Sequence, residues 1–482
     1  MDFGILKFWN WGIVEKGRLE WWNGGCKAEL TQYLNPIFHS SNIPFFRSVA
    51  SILQYSILPF FHSSRVWILL VSFLFLSPMI ACADYRFELI PRISVSEVYD
   101  DNINLDYTNE KSDYLTTVSP GIDLTISSAN TFLSLDYAPT WVWYNEYDQY
   151  DTVRHAGTLD FRQNLAQHLR FDLTDTYTRS EQPLETDEEM QSFRRTRYTY
   201  QRNTGSASLS YQFGPEDTFA VGYGNRLVLN EDPSLDDGTI QNPFCTITYW
   251  INVKDGFELN YEYTKAIFWR DDGLPLQDDY QGHAPGITYM HRFSRHTRAS
   301  VGYEFTGRNF EGDTEDYKIH EAHAGFEHNF SPAVSLNLGI GSFIQKNERS
   351  DDETGYSYDA SLVTRFQRGS FTIGGRGGWD EGYLESETRG FTRYWSAETR
   401  LEYRLLEPLT FYAGGNARRN RDSTDREWEN FRGNTGLTLA FLRWFSLGLD
   451  YSYAQRDDDI DTEDFKVNRV MLVFTATKPQ RL

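Results

Sequence analysis

The chain has little cysteine, little proline, a shortage of positive charge, and almost no long apolar run. Its three cysteines, Cys26, Cys82 and Cys245, are too few and too scattered for a disulfide framework or a zinc or iron–sulfur centre. The 46 Lys and Arg stand against 68 Asp and Glu, a formal net charge of -22. Nucleic-acid binding needs cations in excess, so it is not expected. A transmembrane helix needs about 20 nearly uncharged apolar residues, and nothing beyond the first eighty-odd residues offers that. A mean hydropathy of -0.55 likewise excludes a polytopic helical protein. Aromatic residues, by contrast, are abundant: 30 Tyr, 34 Phe and 13 Trp, beside 35 Gly and only 16 Pro. A length of 482 residues ordinarily suggests several soluble domains, but this composition points to one large β structure. The acidic excess suits solvated loops and cation-preferring passage.

The first residues read as a leader. Val66–Leu76 is an apolar run preceded by Arg65 and followed by Ala81-Cys82-Ala83. A basic start, a short apolar stretch and an A-x-A site make a secretory signal peptide. The expected organisation is a signal at 65–83, cleavage after Ala83 and a mature chain over 84–482. Lipidation of Cys82 is a rival reading, with Met79 an imperfect fit three positions earlier. Residues 1–64 contain a near-repeat, Pro36-Ile37-Phe38-His39-Ser40-Ser41 and Pro59-Phe60-Phe61-His62-Ser63-Ser64, and no amphipathic period. They are expected to be an extension ahead of a mis-assigned start.

From about Phe87 the period is two. Phe445-Ser-Leu447-Gly-Leu449-Asp-Tyr451-Ser-Tyr453 alternates large apolar with small or polar residues, as do Val334–Ile340, Phe257–Tyr263 and Leu133–Trp141. Successive strand side chains point to opposite faces, so each segment has one greasy and one polar face. A soluble sandwich alternates too. Here the aromatics gather near strand ends, the segments run longer than usual strands, and connection lengths alternate between short and long, which together favour a membrane barrel. The short connections are Ser127–Asn130, Ala166–His168, Gly214–Asp217, Val253–Gly256, Ser294–His296, Ser331–Ala333, Arg368–Ser370, Glu407–Pro408 and Arg443–Trp444. Longer polar stretches such as Ser180–Phe193, Glu231–Gly238, Arg270–Asp279, Arg349–Glu353, Arg421–Glu427 and Gln455–Glu463 lie between them. Nine hairpins, one strand before them (about Arg92–Tyr99) and one after (about Phe465–Thr477), predict an all-β fold. It is a transmembrane antiparallel up-and-down barrel of 18–20 strands, twenty by this count, in the outer membrane of a Gram-negative bacterium. The terminal Lys478-Pro-Gln-Arg-Leu482 lacks the usual closing aromatic.

The opening Arg92-Ile-Ser94-Val-Ser-Glu97-Val-Tyr99-Asp100-Asp101-Asn102-Ile103, then Lys111-Ser112-Asp113 and Val118-Ser119-Pro120-Gly121, resembles the start of the β-barrel porin 2 group of outer-membrane proteins, in particular the branch accompanying exopolysaccharide and PEP-CTERM systems. The likeness extends over roughly Phe87 to Leu482, with its specific motifs in the first thirty or so residues. It implies a role in envelope or extracellular-polysaccharide biology, as a conduit for secreted polymer. It carries over no catalytic residue.

Little in the chain reads as chemistry. Runs such as Asp457-Asp458-Asp459 and Thr186-Asp187-Glu188-Glu189 are solvated faces without the spacing and glycine of a calcium loop. His320 and His323 fall on opposite strand faces, and no Gly-x-Ser-x-Gly is present. No metal, no cofactor and no enzymatic activity are expected; a barrel hydrolase acting on lipid or lipopolysaccharide is the least favoured reading. Tyr99-Asp100-Asp101-Asn102 reads either as a cation or glycan contact or as a strand end with an Asp/Asn turn. Alternation places Asp136, Arg226, Glu258, Asn260, Glu262, Glu304, Asn337 and Asp450 toward the lumen, where charge costs far less than on the lipid face. Expected partners are outer-membrane lipid and lipopolysaccharide, the barrel-assembly machinery, and polysaccharide with its export components. The functions in view are a passive channel tied to polysaccharide export, and a structural or adhesive barrel that binds glycan through its loops.

Overall fold

The computed structural model describes residues 85–183, 197–232, 235–269, 279–312, 314–383 and 390–481. The expected extension (1–64) and signal (65–83), with Cys26 and Cys82, lie outside the described residues, as does Thr186–Glu189. Twenty long strands follow one another: β1 (Arg86–Asp100), β2 (Asp113–Ser127), β3 (Thr131–Tyr144), β4 (Thr152–Ala166), β5 (Leu169–Ser180), β6 (Tyr200–Gln212), β7 (Thr218–Asn230), β8 (Asp237–Trp250), β9 (Asp255–Trp269) and β10 (Tyr280–Ser294) form the first half. The second half is β11 (Thr297–Phe310), β12 (Tyr317–Ser331), β13 (Val334–Asn347), β14 (Glu353–Phe366), β15 (Gly369–Gly382), β16 (Gly390–Leu406), β17 (Leu409–Asp422), β18 (Glu427–Phe441), β19 (Phe445–Asp458) and β20 (Phe465–Thr477). Each strand pairs antiparallel with the next, and β20 pairs with β1 from Arg92↔Thr477 to Asp100↔Arg469, so the sheet closes.

Closure satisfies the strand backbones around the wall, as a barrel in lipid needs, except at the start of β14, where Glu353–Ser357 pair with β13 alone. The register then sorts the side chains. Leu447, Leu449 and Tyr451 sit opposite Phe474, Leu472 and Val470, and all six are exposed. Between them Asp450 faces Met471 on the other side of the wall. The outward rows of the remaining strands carry Ile93, Val95, Val221, Leu259, Ile287, Val301, Leu338 and Ile340, with Trp141, Trp143, Tyr249 and Tyr289 nearer strand ends. Such a continuous exposed apolar surface needs an apolar solvent, and a closed barrel wearing it belongs in the outer membrane. No helix among the described residues is long and apolar enough to cross a membrane.

The nine short turns lie at one end, together with both ends of the barrel chain; the longer connections lie at the other. Strand spacing of about 4.8 Å and a tilt of about 40° make a twenty-stranded barrel roughly 40 Å across between backbones. An interior of that width holds water unless loops fill it.

Several strand limits differ from the sequence-based expectation; β19, for one, runs on to Asp458 into the Gln455–Glu463 stretch expected as a connection. The first strand starts earlier, at Arg86, because β2 pairs with it along its whole length, Arg86↔Ser127 to Asp100↔Asp113. The C-terminal tail also takes part in closure. After Pro479, which can donate no backbone hydrogen bond, a two-residue β21 (Gln480–Arg481) resumes pairing with Glu88 and Leu89 of β1.

Candidate functional site

The candidate site is the inner wall. In the observed register the eight residues expected toward the lumen take the face opposite the exposed apolar rows of their strands. Asp136 accepts from Arg92, across the barrel seam's first strands. Arg226 pairs with Ile240 and Thr204, Asn337 with Glu327 and Ser361, and Asp450 with Gly436 and Met471. Glu258, Asn260 and Glu262 follow one another along the inner side of β9.

Charges of both signs line the wall, unevenly spread. On β9, β11 and β12 stand Glu262, Glu304 and Glu321, with Glu304 directly opposite Glu321. Like charges so placed repel. Glu262 accepts from Asn242 at 2.9 Å, and Glu321 from Trp379 Nε1 at 2.9 Å and from the Ser357 hydroxyl; these donors are neutral. On the far side, β16 to β20 carry Arg400, Arg418, Arg432, Arg456 and Arg469 inward. Several of these are matched by carboxylates: Arg418 by Asp380 at 3.1 Å, Arg456 by Asp458 at 2.7 Å, and Arg469 by Asp100 at 2.6 Å.

The ends of two strands narrow the lumen. The ends of β15 and β16 leave the wall and fold inward. Trp379 and Phe391 stack at 6.1 Å, and Phe391 packs with Phe343, Ile319 and Tyr317 on β12 and β13. Arg308 of β11 holds Glu381 at 2.8 Å, with both side chains about nine-tenths buried. Tyr383 reaches furthest, into Val228, Ala266, Phe268 and Tyr280, its ring 4.9 Å from that of Tyr280. Its hydroxyl meets that of Tyr317 at 2.7 Å, and burial pushes its ionisation well above the ordinary tyrosine value. Gly390 re-enters β16 at φ +104°, a conformation that side-chain-bearing residues rarely adopt.

The Tyr99-Asp100-Asp101-Asn102 motif lies at the seam. Asp100 binds Arg469, and Asp101 accepts from the Asn468 backbone and side chain, each at 2.7 Å. Asn102, fully buried, donates to the carbonyls of Asp106 and Lys466 at 2.9 and 3.0 Å. Tyr99 stays on the outer face against Tyr114. These partners belong to the barrel itself, and they tie the first strand to the last. The loop that follows turns inward: Leu105, at φ +54°, is buried with Ala454, Phe465 and Val467.

At the mouth, Glu181 sits between Arg154 at 2.5 Å and the Tyr144 hydroxyl at 3.1 Å. Burial alone would raise its carboxyl, but the Arg154 hydrogen bond and charge outweigh it and hold it below the usual range. Burial lowers Arg197, which donates to the Ile103 carbonyl and the Tyr144 hydroxyl and lies over the Tyr144 ring.

No protein-family model matches the chain, and no curated protein matches it. Solved structures of similar shape include OccAB4 of Acinetobacter baumannii, 12% identical over 82% of this chain and 98% of that one, with a TM-score of 0.41. Another is OccK2 (OpdF) of Pseudomonas aeruginosa, 12% identical over 83% and 98%, TM-score 0.41. A third is a ferric enterobactin receptor mutant of Pseudomonas aeruginosa in complex with enterobactin, 8% identical over 81% of each chain, TM-score 0.47.

Proposed function

We propose that the chain is a passive outer-membrane channel for small hydrophilic solutes, with a preference for cations, working beside extracellular-polysaccharide export or envelope biogenesis. The observation that carries the reading is the wide closed barrel with an ionised inner wall. Charge on that wall is tolerated only where water reaches it, and there it shapes the local field. Glu262 and Glu321 take up neutral donors and Glu304 stands directly opposite Glu321, whereas several arginines of the opposite wall are matched by carboxylates, so the pull at this cluster favours cations. The infolded ends of β15 and β16 support passage of small solutes over bulk polymer. The link to polysaccharide rests on the resemblance of residues 92–121. On this reading the partners are outer-membrane lipid and lipopolysaccharide, the assembly machinery and export components.

A second reading is a surface barrel with a shut lumen that binds glycan through its loops. The packing of Tyr383 against the opposite wall favours it. Liposome swelling separates the two. Vesicles holding the refolded protein should swell in small sugars and amino acids and resist larger oligosaccharides. Absence of swelling in every solute, from protein shown to be folded, would favour the closed barrel.

A further inference from the structure

Strand pairing stops early at one place in the wall. β14 and β15 pair only from Tyr358↔Gly377 to Phe366↔Gly369. Above that, β14 stays on β13 up to Gln345↔Glu353, while β15 stays on β16 up to Gly382↔Gly390. The infolding of the hairpin therefore leaves β14 with an open edge over Glu353–Ser357, at the long-loop end of the barrel.

The notch so formed is a cavity of about 710 Å³ lined by residues of both faces of the wall. Three pairs of consecutive residues line it: Phe343 and Ile344, Gly355 and Tyr356, Tyr394 and Trp395. Neighbours in a strand point to opposite faces, so each pair gives one lumen side and one lipid side. The outer members are exposed, Tyr356 at 81%, and continue the lipid-facing belt. The inner end is apolar as well, with Phe391 packed at 5.9 Å on Phe343 and Trp379 beyond it. The rim arginines are already paired: Arg393 with Glu353 at 3.3 Å, Arg419 with Glu427 and Glu429, and Arg421 with Asp425 and Glu427. A rim whose arginines are paired, around a passage with apolar walls, fits a hydrocarbon chain better than a free ion.

We propose that this notch is a lateral port through which the acyl chain of an outer-leaflet amphiphile reaches from the bilayer into the lumen, with Arg393–Glu353 as its latch. The proposal rests on the barrel spanning a membrane, not on an open central channel.

The test is photo-crosslinking in the full barrel reconstituted into phosphatidylcholine vesicles. A benzophenone amino acid replaces Ile344 (lipid side), Tyr394 (lumen side of the notch) or Thr288 (lumen wall of β10, remote from the notch). Lipid adducts are read by mass spectrometry. Position 344 should react strongly. Position 394 should exceed position 288 by about tenfold, because hydrocarbon is excluded from a watery lumen, and Glu353→Gln should raise it further. Adducts at 344 with 394 no higher than 288 would overturn the port and leave the membrane reading intact; adducts at none of the three would overturn both. Phe343 provides a second lumen-side position if the 394 variant does not fold.

Discussion

Removing Glu381 should release the infolded hairpin and widen the channel. Arg308 and Glu381 are the buried ion pair that holds the tip to β11, and Tyr317 adds a hydrogen bond to Glu381 at 2.6 Å. Glu381→Ala leaves the Arg308 guanidinium buried without its partner, which costs about 3–5 kcal/mol. At about 1.4 kcal/mol per tenfold, the lower figure shifts the ratio of docked to undocked tip by roughly 150-fold. The remaining holds, Trp379 to Glu321 and Tyr383 to Tyr317, contribute about 0.5–1.5 kcal/mol each, beside the Tyr383 apolar contacts. Single-channel recording should show E381A with a larger conductance and frequent stepping between levels. The double variant R308M/E381L exchanges the pair for apolar groups at little net cost, so it should return toward the parental conductance. A folded E381A barrel with an unchanged trace would refute the hairpin as the constriction.

Further outcomes follow from the same geometry. Asp100→Ala removes the partner of Arg469 at the seam and should lower the temperature at which the barrel loses its compact gel mobility, reflecting about 3 kcal/mol or more; Asn102→Ala should cost about 1–3 kcal/mol through two orphaned carbonyls. Glu304→Gln with Glu321→Gln should move the reversal potential in a salt gradient toward zero, cutting cation preference by about twofold or more. Because the Glu181 carboxyl is held low, its contribution is fully present above the ordinary Glu value of about 4.3 and is lost as pH falls through the lower folded value. Proteolysis at the mouth should therefore rise only in that acid window, and Glu181→Gln should remove the dependence. N-terminal sequencing of the mature protein should begin near Asp84; peptides from residues 1–60 in purified membranes would contradict the expected start.

The sequence carries the barrel because its determinants are local. Alternation sets which face each side chain takes, and short turns such as Ala166–His168 and Glu407–Pro408 set where the chain reverses, so strand number is legible without any long-range information. The hairpin is different. Trp379-Asp380-Glu381-Gly382-Tyr383 continues a strand-like pattern, and its partners Arg308, Arg418 and Tyr280 are distant in sequence. The available signal was the glycine cluster at Gly374, Gly375, Gly377 and Gly378, where a strand lacks side chains to hold it to the wall. The role of Asp100 to Asn102 was hidden for the same reason: Lys466, Asn468 and Arg469 meet them only once the barrel has closed. The pairing of the C-terminal tail was not legible either, because Pro479 interrupts the ladder before β21 resumes it.

The most direct test of the channel reading is the conductance of the refolded mature chain in planar bilayers. It should insert as discrete, long-lived ohmic steps, with a reversal potential favouring cations that shrinks when Glu304 and Glu321 are neutralised. A folded, inserted barrel that passes no current at any voltage would contradict a water-filled lumen and leave the closed surface barrel in its place.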